Sequence, residues 1–217
     1  MKFGYFLMWA AVRAVGATYL RWRVYHPERA PVHGPAILAA NHASFLDPLL
    51  IGGALPRELH YLARESLFRN PILNVVLRHW NCVPVDRDGG GAAGLKGILD
   101  RLRRGGAIVL FPEGTRTRDG GLQPARAGVG LAVIKSDCPV VPVRVFGTWE
   151  AFGRRHRFPR PHPVRVKFGN ALLFAELRAE AKTCAKPRLK AIYQQVADEI
   201  IAAIARLEPC GEVSGFP

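Results

Sequence analysis

A histidine and an aspartate stand five positions apart, His42 and Asp47, in a segment that also contains Ser44. A carboxylate that hydrogen-bonds an imidazole fixes its tautomer and stabilises its protonated form, which suits a general base that takes a proton from a hydroxyl. Ser44 and Asp47 also have the spacing of a helix capping box. The pair is therefore either a base with its orienting partner or part of a capped helix beside a loop histidine.

A second polar group, Glu113, Gly114, Thr115 and Arg116, follows an apolar run that ends in Phe111 and Pro112. The carboxyl edge of an open α/β sheet is where such folds bind ligands. Gly114 lets backbone N–H groups approach an anion, and the planar fork of Arg116 suits phosphate oxygens. Because Glu113 would repel phosphate, we assign it to hydroxyl binding or to the positioning of arginines, unless it only accepts hydrogen bonds from loop N–H groups.

A third group ends the run 82–85, where Arg87 follows Asp86. Arg87 is a second candidate for binding phosphate. The alternative is a solvated ion pair with Asp86 or Asp88.

The segments that must position these residues alternate between two patterns. Strands are predicted at 36–40, 60–63, 82–85, 107–111, 140–146 and 164–168, and helices at 71–79, 92–104, 128–136 and 188–207. This alternation predicts an α/β fold: a single domain over residues 26–207, with a mixed, mostly parallel sheet flanked by helices. Residues 208–217 are predicted to form a frayed C-terminal tail.

The N-terminal stretch is almost wholly apolar from residue 3 to 20 but contains Arg13. As a helix it would reach about 27 Å, close to the roughly 30 Å of a hydrocarbon core. We predict an uncleaved membrane-associating helix over residues 1–25 that either spans the bilayer or lies in one leaflet. A cleaved signal peptide and an ordinary buried helix are the alternatives.

The net charge of +14 comes from 31 Lys and Arg against 17 Asp and Glu. Such a balance requires an anionic partner, which can be a membrane surface, a phosphorylated substrate or nucleic acid. No helix-turn-helix, zinc-finger or RNA-binding aromatic signature accompanies the densest arginine run, so we expect no nucleic-acid partner. That run consists of Arg154, Arg155, Arg157 and Arg160.

Several short motifs are incomplete. The four cysteines are too scattered for a zinc site or a disulfide framework, so we expect reduced thiols and no metal, which favours the cytosolic side. Residues 89–96 imitate a phosphate-binding loop without its required lysine. Gly128 and Gly130 lack the third glycine of a dinucleotide-binding loop, which favours a packing role.

Four blocks occur in a particular order: His42 with Asp47, then 83–87, then 111–116, then 141–143 with Gly147. This order resembles the glycerolipid acyltransferase superfamily, and most closely the 1-acyl-glycerol-3-phosphate acyltransferases, whose first block is the HX4D motif. The resemblance covers roughly residues 31–170. The stretch 63–68 with Pro71 is also similar to the family.

The resemblance implies direct transfer of a fatty acyl group from acyl-CoA or acyl carrier protein to the sn-2 hydroxyl of 1-acyl-glycerol-3-phosphate. The product would be phosphatidic acid, in phospholipid biosynthesis, with no cofactor and no covalent acyl-enzyme. The implied roles are catalysis by the base His42 with Asp47, phosphate binding by Arg87, Arg116 and Arg126, and shaping of the acceptor site by Glu113, Gly114 and Thr115.

The resemblance also leaves alternatives open. Arg64 and Arg126 stand where the family often has lysine, and Ala125 replaces a usual aromatic residue. Because arginine and lysine bind phosphate with different geometry, another lysolipid or glycerol-3-phosphate is the alternative acceptor. A non-enzymatic basic module that binds anionic lipid headgroups is the alternative outside the enzyme class. The expected location is the cytoplasmic face of the inner (plasma) membrane, in contact with its anionic surface.

Overall fold

The computed structural model describes residues 1–85 and 92–209. Within these ranges, the strands are β1 (Arg23–Tyr25), β2 (Ala36–Ala40), β3 (Leu59–Arg64), β4 (Cys82–Val85), β5 (Ala107–Leu110), β6 (Val140–Phe146) and β7 (Arg165–Phe168). The α-helices are α1 (Phe3–Tyr19), α2 (Asp47–Ala54), α3 (Pro71–His79), α4 (Ala92–Arg103), α5 (Ala127–Lys135), α6 (Thr148–Phe152), α7 (Ala175–Glu180) and α8 (Lys186–Ala205). Two short 3₁₀ helices cover Pro27–Arg29 and Glu65–Arg69.

The seven strands form one sheet in the order β1-β7-β6-β2-β5-β3-β4. Every neighbouring pair is parallel except β6 and β7. The central strand β2 is buried along its whole length, because helices cover both of its faces. A continuous apolar run is typical of such a strand. The predicted α/β fold with a mixed, mostly parallel sheet is confirmed.

The sheet separates two apolar cores. Ala36, Leu38 and Ala40 of β2 belong to the core that includes α2 and the buried face of α1. Ile37 and Ala39 belong to the opposite core, with α5 and α8. This alternation follows from the two-residue period of a strand. It leaves the carboxyl edge of the sheet as the place where polar loops emerge.

Three of the predicted blocks follow strands that end at this edge. The parallel strands β2, β5 and β6 are neighbours, with Ile37 paired to both Ile108 and Val140. His42 comes two residues after β2 and Glu113 three residues after β5, and Gly147 directly follows β6. The fold therefore brings segments more than 100 residues apart to a single site.

The observed elements agree closely with the predicted ones, and the differences have local causes. All six predicted strands are present, with ends displaced by at most one residue. The last helix begins at Lys186 because Pro187 is tolerated in a first helical turn. The short elements β1, α6 and α7 were not predicted. Residues 210–217, most of the predicted tail, lie outside the described residues.

The N-terminal helix differs from the predicted range of 1–25. It ends at Tyr19, and residues 23–25 form β1 in the sheet instead. One side of α1 packs on the domain: Tyr5 is buried and stacks on Trp80 with ring centroids 4.7 Å apart, and the Trp9 indole N–H donates to the Leu55 carbonyl. The other side leaves Phe3 exposed. In the described part of the chain, no helix combines the length and apolar character needed to cross a membrane.

Candidate active site

The His42 imidazole and the Asp47 carboxylate are in contact. The distance from His42 Nδ1 to Asp47 Oδ2 is 2.9 Å, and the backbone N–H groups of Ala43 and Ser44 donate to the same oxygen at 2.7 Å. An ionised carboxylate only accepts hydrogen bonds, so Nδ1 carries the proton and Nε2 is left as the basic nitrogen. The side chain of Asp47 is fully buried, whereas that of His42 is 16% exposed. A ligand can therefore reach the imidazole of His42 but not the carboxylate of Asp47.

Asp47 also organises the start of α2, although not as the predicted capping box. The helix begins at Asp47 itself, and the Ser44 hydroxyl donates to the Phe152 carbonyl while accepting from the N–H of Leu46. Only the bond from the Ser44 N–H to Asp47 matches the predicted box. A carboxylate in the first helical turn is stabilised by the helix dipole. The Asp47 side chain thus both stabilises the start of α2 and orients His42.

Phe111 holds the imidazole from the other side. Its ring stacks on that of His42, with centroids 3.9 Å apart and an angle of 18° between the planes. Because Phe111 directly follows β5, this contact ties the second block to the first. The orientation of the base therefore depends on both loops.

Glu113 is buried, and its two carboxylate oxygens accept hydrogen bonds from the backbone. Oε1 accepts from the N–H of His42 at 2.9 Å, and Oε2 accepts from the N–H of Gln123 at 3.2 Å. Burial raises the pKa of Glu113 to about 7, although these two hydrogen bonds act in the opposite direction. The Thr117 N–H also donates to the His42 carbonyl. Of the three predicted interpretations, this geometry favours a glutamate that accepts hydrogen bonds from loop N–H groups.

Gly114 and Arg126 meet at the turn between Glu113 and Arg116. Gly114 has φ of +70°, and a Cβ atom there would come within 3.0 Å of the Arg126 side chain. The N–H of Arg126 donates to the Pro112 carbonyl, and its exposed side chain lies over the turn. Glycine is thus required both by the left-handed backbone and by the close approach of this arginine.

Arg116 is half-buried and lies on an aromatic ring. Its guanidinium carbon is 3.5 Å from the centroid of Phe45, within the range of a cation–π contact. Burial lowers the pKa of Arg116, and the nearby charges of Arg154 and Arg64 act in the same direction, whereas Asp47 opposes them. Arg116, the predicted phosphate ligand, therefore lies close to Asp47 and to other positive charges.

Arg154 joins the site, and it was not predicted as a site residue. Its Nη2 donates to the Thr115 hydroxyl at 2.8 Å. The only sequence signal was the density of arginines after residue 153. Arg87, in contrast, falls in the segment 86–91, outside the described residues.

The described residues hold no group of three His, Cys, Asp or Glu side chains suited to a metal ion. Cys82, Cys138 and Cys184 are free thiols, and Cys210 lies outside the described residues. The polar groups gathered at the carboxyl edge are thus a base with its carboxylate, a buried glutamate and several guanidinium groups. Such a set can accept a proton from a hydroxyl beside a bound anion.

Known proteins share this sequence pattern and this fold. A family model described as Acyltransferase matches residues 21–146, more than half of the chain. The 1-acyl-sn-glycerol-3-phosphate acyltransferase of Bacillus subtilis (strain 168) is 30% identical over 126 residues, which cover 58% of this chain and 62% of that protein. The protein of the same name from Borreliella burgdorferi is 32% identical over 124 residues, covering 56% and 49%.

A solved structure has the same fold. The crystal structure of the 1-acyl-sn-glycerophosphate (LPA) acyltransferase PlsC from Thermotoga maritima superimposes with a TM-score of 0.70 and 23% identity, covering 94% of this chain and 81% of that one.

The chain belongs to the acyltransferase family. The chain is similar to members named 1-acyl-sn-glycerol-3-phosphate acyltransferase, so the resemblance inferred from the four blocks is confirmed. The chain spans less than two thirds of the length of the Bacillus and Borreliella relatives.

Proposed function

We propose that the protein transfers a fatty acyl group from a thioester to the sn-2 hydroxyl of 1-acyl-glycerol-3-phosphate, giving phosphatidic acid for phospholipid biosynthesis. The observation that carries this proposal is the contact between His42 and Asp47 at an edge of the sheet that also holds Arg116. A base beside a cationic cluster suits an acceptor that carries both a hydroxyl and a phosphate. The names of the relatives support the same substrate.

In the proposed reaction, Nε2 of His42 takes the proton of the acceptor hydroxyl as its oxygen attacks the thioester carbonyl carbon. A carbon–oxygen bond forms, the carbon–sulfur bond breaks, and the imidazolium returns its proton to the departing sulfur. Asp47 stabilises the imidazolium while that charge exists. No acyl group becomes attached to the enzyme, so a single base serves the whole transfer.

Arg116, Arg126 and Arg87 are the proposed ligands of the acceptor phosphate. Guanidinium groups bind phosphate oxygens through paired, charge-assisted hydrogen bonds. Glu113, Gly114 and Thr115 shape the acceptor site, each in a different way. Glu113 holds the backbone of His42, Gly114 allows Arg126 to lie over the turn, and Thr115 accepts from Arg154.

The proposed donor is acyl-CoA or acyl carrier protein, each of which presents its thioester on a phosphate-bearing arm. A cavity of about 440 Å³ adjoins the loop that carries His42. Its lining includes Asn41 and Ala43, the two chain neighbours of His42. The ionisable side chains in this lining are those of Arg144, Glu150, His162 and Arg165. The excess of positive charge in this lining supports an anionic donor.

We also propose that the protein acts on the anionic cytoplasmic face of the inner (plasma) membrane. The outward side of α1 exposes Phe3, Phe6 and Leu7, and α3 exposes Ile72 and Val75. The two helices touch, because His79 packs against Gly4. Four exposed basic residues lie within these two helices or within two residues of them in the sequence: Lys2, Arg13, Arg69 and Arg78. An apolar surface with basic residues nearby suits the interface of an anionic bilayer.

The activity is tested with purified protein, oleoyl-CoA and 1-oleoyl-glycerol-3-phosphate, by release of free thiol and formation of phosphatidic acid. His42→Ala is expected to lower kcat roughly 10²- to 10⁴-fold, the usual contribution of a general base. Asp47→Asn should remain folded but slow. His33→Ala, an exposed histidine outside the site, is the control and should retain the wild-type rate. Full activity of the His42 variant would disprove its role.

The acceptor and the class of protein are tested together. A panel containing other lysolipids and glycerol-3-phosphate, with one labelled donor, compares the alternative acceptors. A module that only binds anionic headgroups would bind vesicles and lose binding at high salt, without transferring acyl groups to any acceptor. The three hydrogen bonds to Asp47 Oδ2 favour the enzyme, because headgroup binding needs no oriented imidazole.

A further inference from the structure

Arg154 belongs to no block of the family resemblance, yet it reaches the turn that carries Arg116. It follows α6, and the bond from its Nη2 to the Thr115 hydroxyl, 2.8 Å long, joins residues 39 positions apart. Thr115 immediately precedes Arg116. This hydrogen bond therefore holds a second guanidinium group beside the first.

The end of α6 is also bonded to the loop 41–46, which carries His42. The Ser44 hydroxyl donates to the Phe152 carbonyl at 2.7 Å, and the rings of Phe152 and Phe45 lie 6.2 Å apart. Phe45 in turn supports the guanidinium of Arg116. Arg154, two residues after Phe152, is thus positioned relative to both the base and Arg116.

Three arginines lie close together here, and the charge of Asp47 opposes theirs only in part. Arg116, Arg154 and Arg64 are close enough that the charges of the latter two, together with burial, lower the pKa of Arg116. None of the three forms an ion pair with a carboxylate of residues 1–85 or 92–209. Like charges held together repel, and an anion between them would relieve that repulsion.

We propose that Arg154 binds the phosphate of the acceptor together with Arg116, and that Thr115 orients Arg154 for this contact. This inference rests on the proposed function and deepens it, because it assigns a residue that selects acceptors bearing a phosphomonoester. Two guanidinium groups match the charge of a phosphate dianion better than one. An acceptor whose phosphate carries a choline group offers less charge and less room for both.

The test compares Arg154→Ala with Arg155→Ala, a neighbouring exposed arginine outside the site. Loss of one charge-assisted hydrogen bond should raise the KM for 1-oleoyl-glycerol-3-phosphate about tenfold in the Arg154 variant, with the KM for oleoyl-CoA unchanged. Arg154→Lys should restore part of the loss. Thr115→Val, which removes the hydroxyl that orients Arg154, should raise the same KM by a smaller factor.

A merely structural role would change stability and both substrates alike. In the proposed role, Arg154→Ala keeps the wild-type melting temperature and lowers the preference for 1-oleoyl-glycerol-3-phosphate over lysophosphatidylcholine about tenfold. An acceptor KM equal to that of Arg155→Ala, or an equal rise in the KM for the donor, would overturn the proposal.

Failure of the proposed function gives a different result. If wild-type protein transfers no acyl group to 1-oleoyl-glycerol-3-phosphate, that function is wrong, and the role of Arg154 is then decided by binding alone. Calorimetric titration with glycerol-3-phosphate should give a Kd about tenfold higher for Arg154→Ala than for wild type and Arg155→Ala. Equal dissociation constants, or no binding by wild type, would reject the site.

Discussion

At the scale of single residues, the site depends on two carboxylates with different duties. Asp47 contacts the imidazole ring of His42, whereas Glu113 contacts its backbone N–H. Both are almost completely buried. A buried carboxylate is stable when N–H groups donate to it, and each of these receives at least two such bonds. His42 is thus held in place both through its ring and through its backbone N–H.

The buried position of Glu113 predicts a pH-dependent stability. Its pKa is raised from 4.5 to about 7, so the folded protein holds this proton in a range where the unfolded chain has released it. The contribution of Glu113 to the free energy of unfolding is therefore greatest below pH 4.5 and is lost as the pH rises through about 7. The loss amounts to about 3 kcal/mol at most.

Glu113→Gln measures this contribution, because glutamine has nearly the same shape and does not titrate. The difference in free energy of unfolding, wild type minus variant, should fall between pH 4.5 and pH 7.5 in urea denaturation. Asp137→Asn, at an exposed carboxylate outside the site, should show no comparable trend. A constant difference across this range for Glu113→Gln would contradict the raised pKa.

At the scale of elements, the sequence predicted those whose pattern is long enough to recognise. The apolar runs of β2 and β6 were sufficient to predict these strands, and the helical spacing of apolar residues in α8 was sufficient to predict this helix. Strand β1 has only three residues, and α6 has five, too few to show a period. These short elements matter because α6 brings Arg154 to Thr115. The site was therefore predictable where its residues are close in sequence, as for His42 and Asp47, and not where packing joins distant segments.

The contact between α5 and α8 provides a prediction at this scale. A Cβ atom on Gly130 would lie 1.9 Å from the carbonyl oxygen of Tyr193 in α8, so the helices meet at this glycine. Gly130→Ala must force the helices apart and should lower the free energy of unfolding by roughly 3 kcal/mol.

Gly128 is the matched control in the same helix, because a Cβ atom there would have no neighbour within 4 Å. Gly128→Ala should leave the stability unchanged or raise it slightly, since alanine favours a helix over glycine. Urea denaturation of both variants makes the comparison. Equal free energies of unfolding for the two variants would show that α8 does not constrain α5 at Gly130. That result would contradict the packing role that the sequence indicated for these glycines.

At the scale of the whole molecule, two features suit the same partner, an anionic membrane. They are the apolar outward sides of α1 and α3 and the net charge of +14. Apolar contact provides binding that salt does not remove, whereas attraction between basic side chains and anionic lipid weakens as ionic strength rises. The proposed membrane contact therefore has two components that respond differently to salt. The proposed transfer of an acyl group to a membrane lipid requires such a contact.

Vesicle flotation tests this surface with matched substitutions. Ile72 on α3 is 76% exposed, and Leu173, outside both helices, is 73% exposed. Ile72→Glu should reduce binding to vesicles that contain anionic lipid about tenfold, because it places a negative charge and removes an apolar side chain at the interface. Leu173→Glu adds the same charge elsewhere and should bind as wild type does. Raising the salt to about 1 M should weaken binding of wild type without abolishing it, since screening acts only on the charges. Equal binding by the two variants would show that α3 does not face the bilayer.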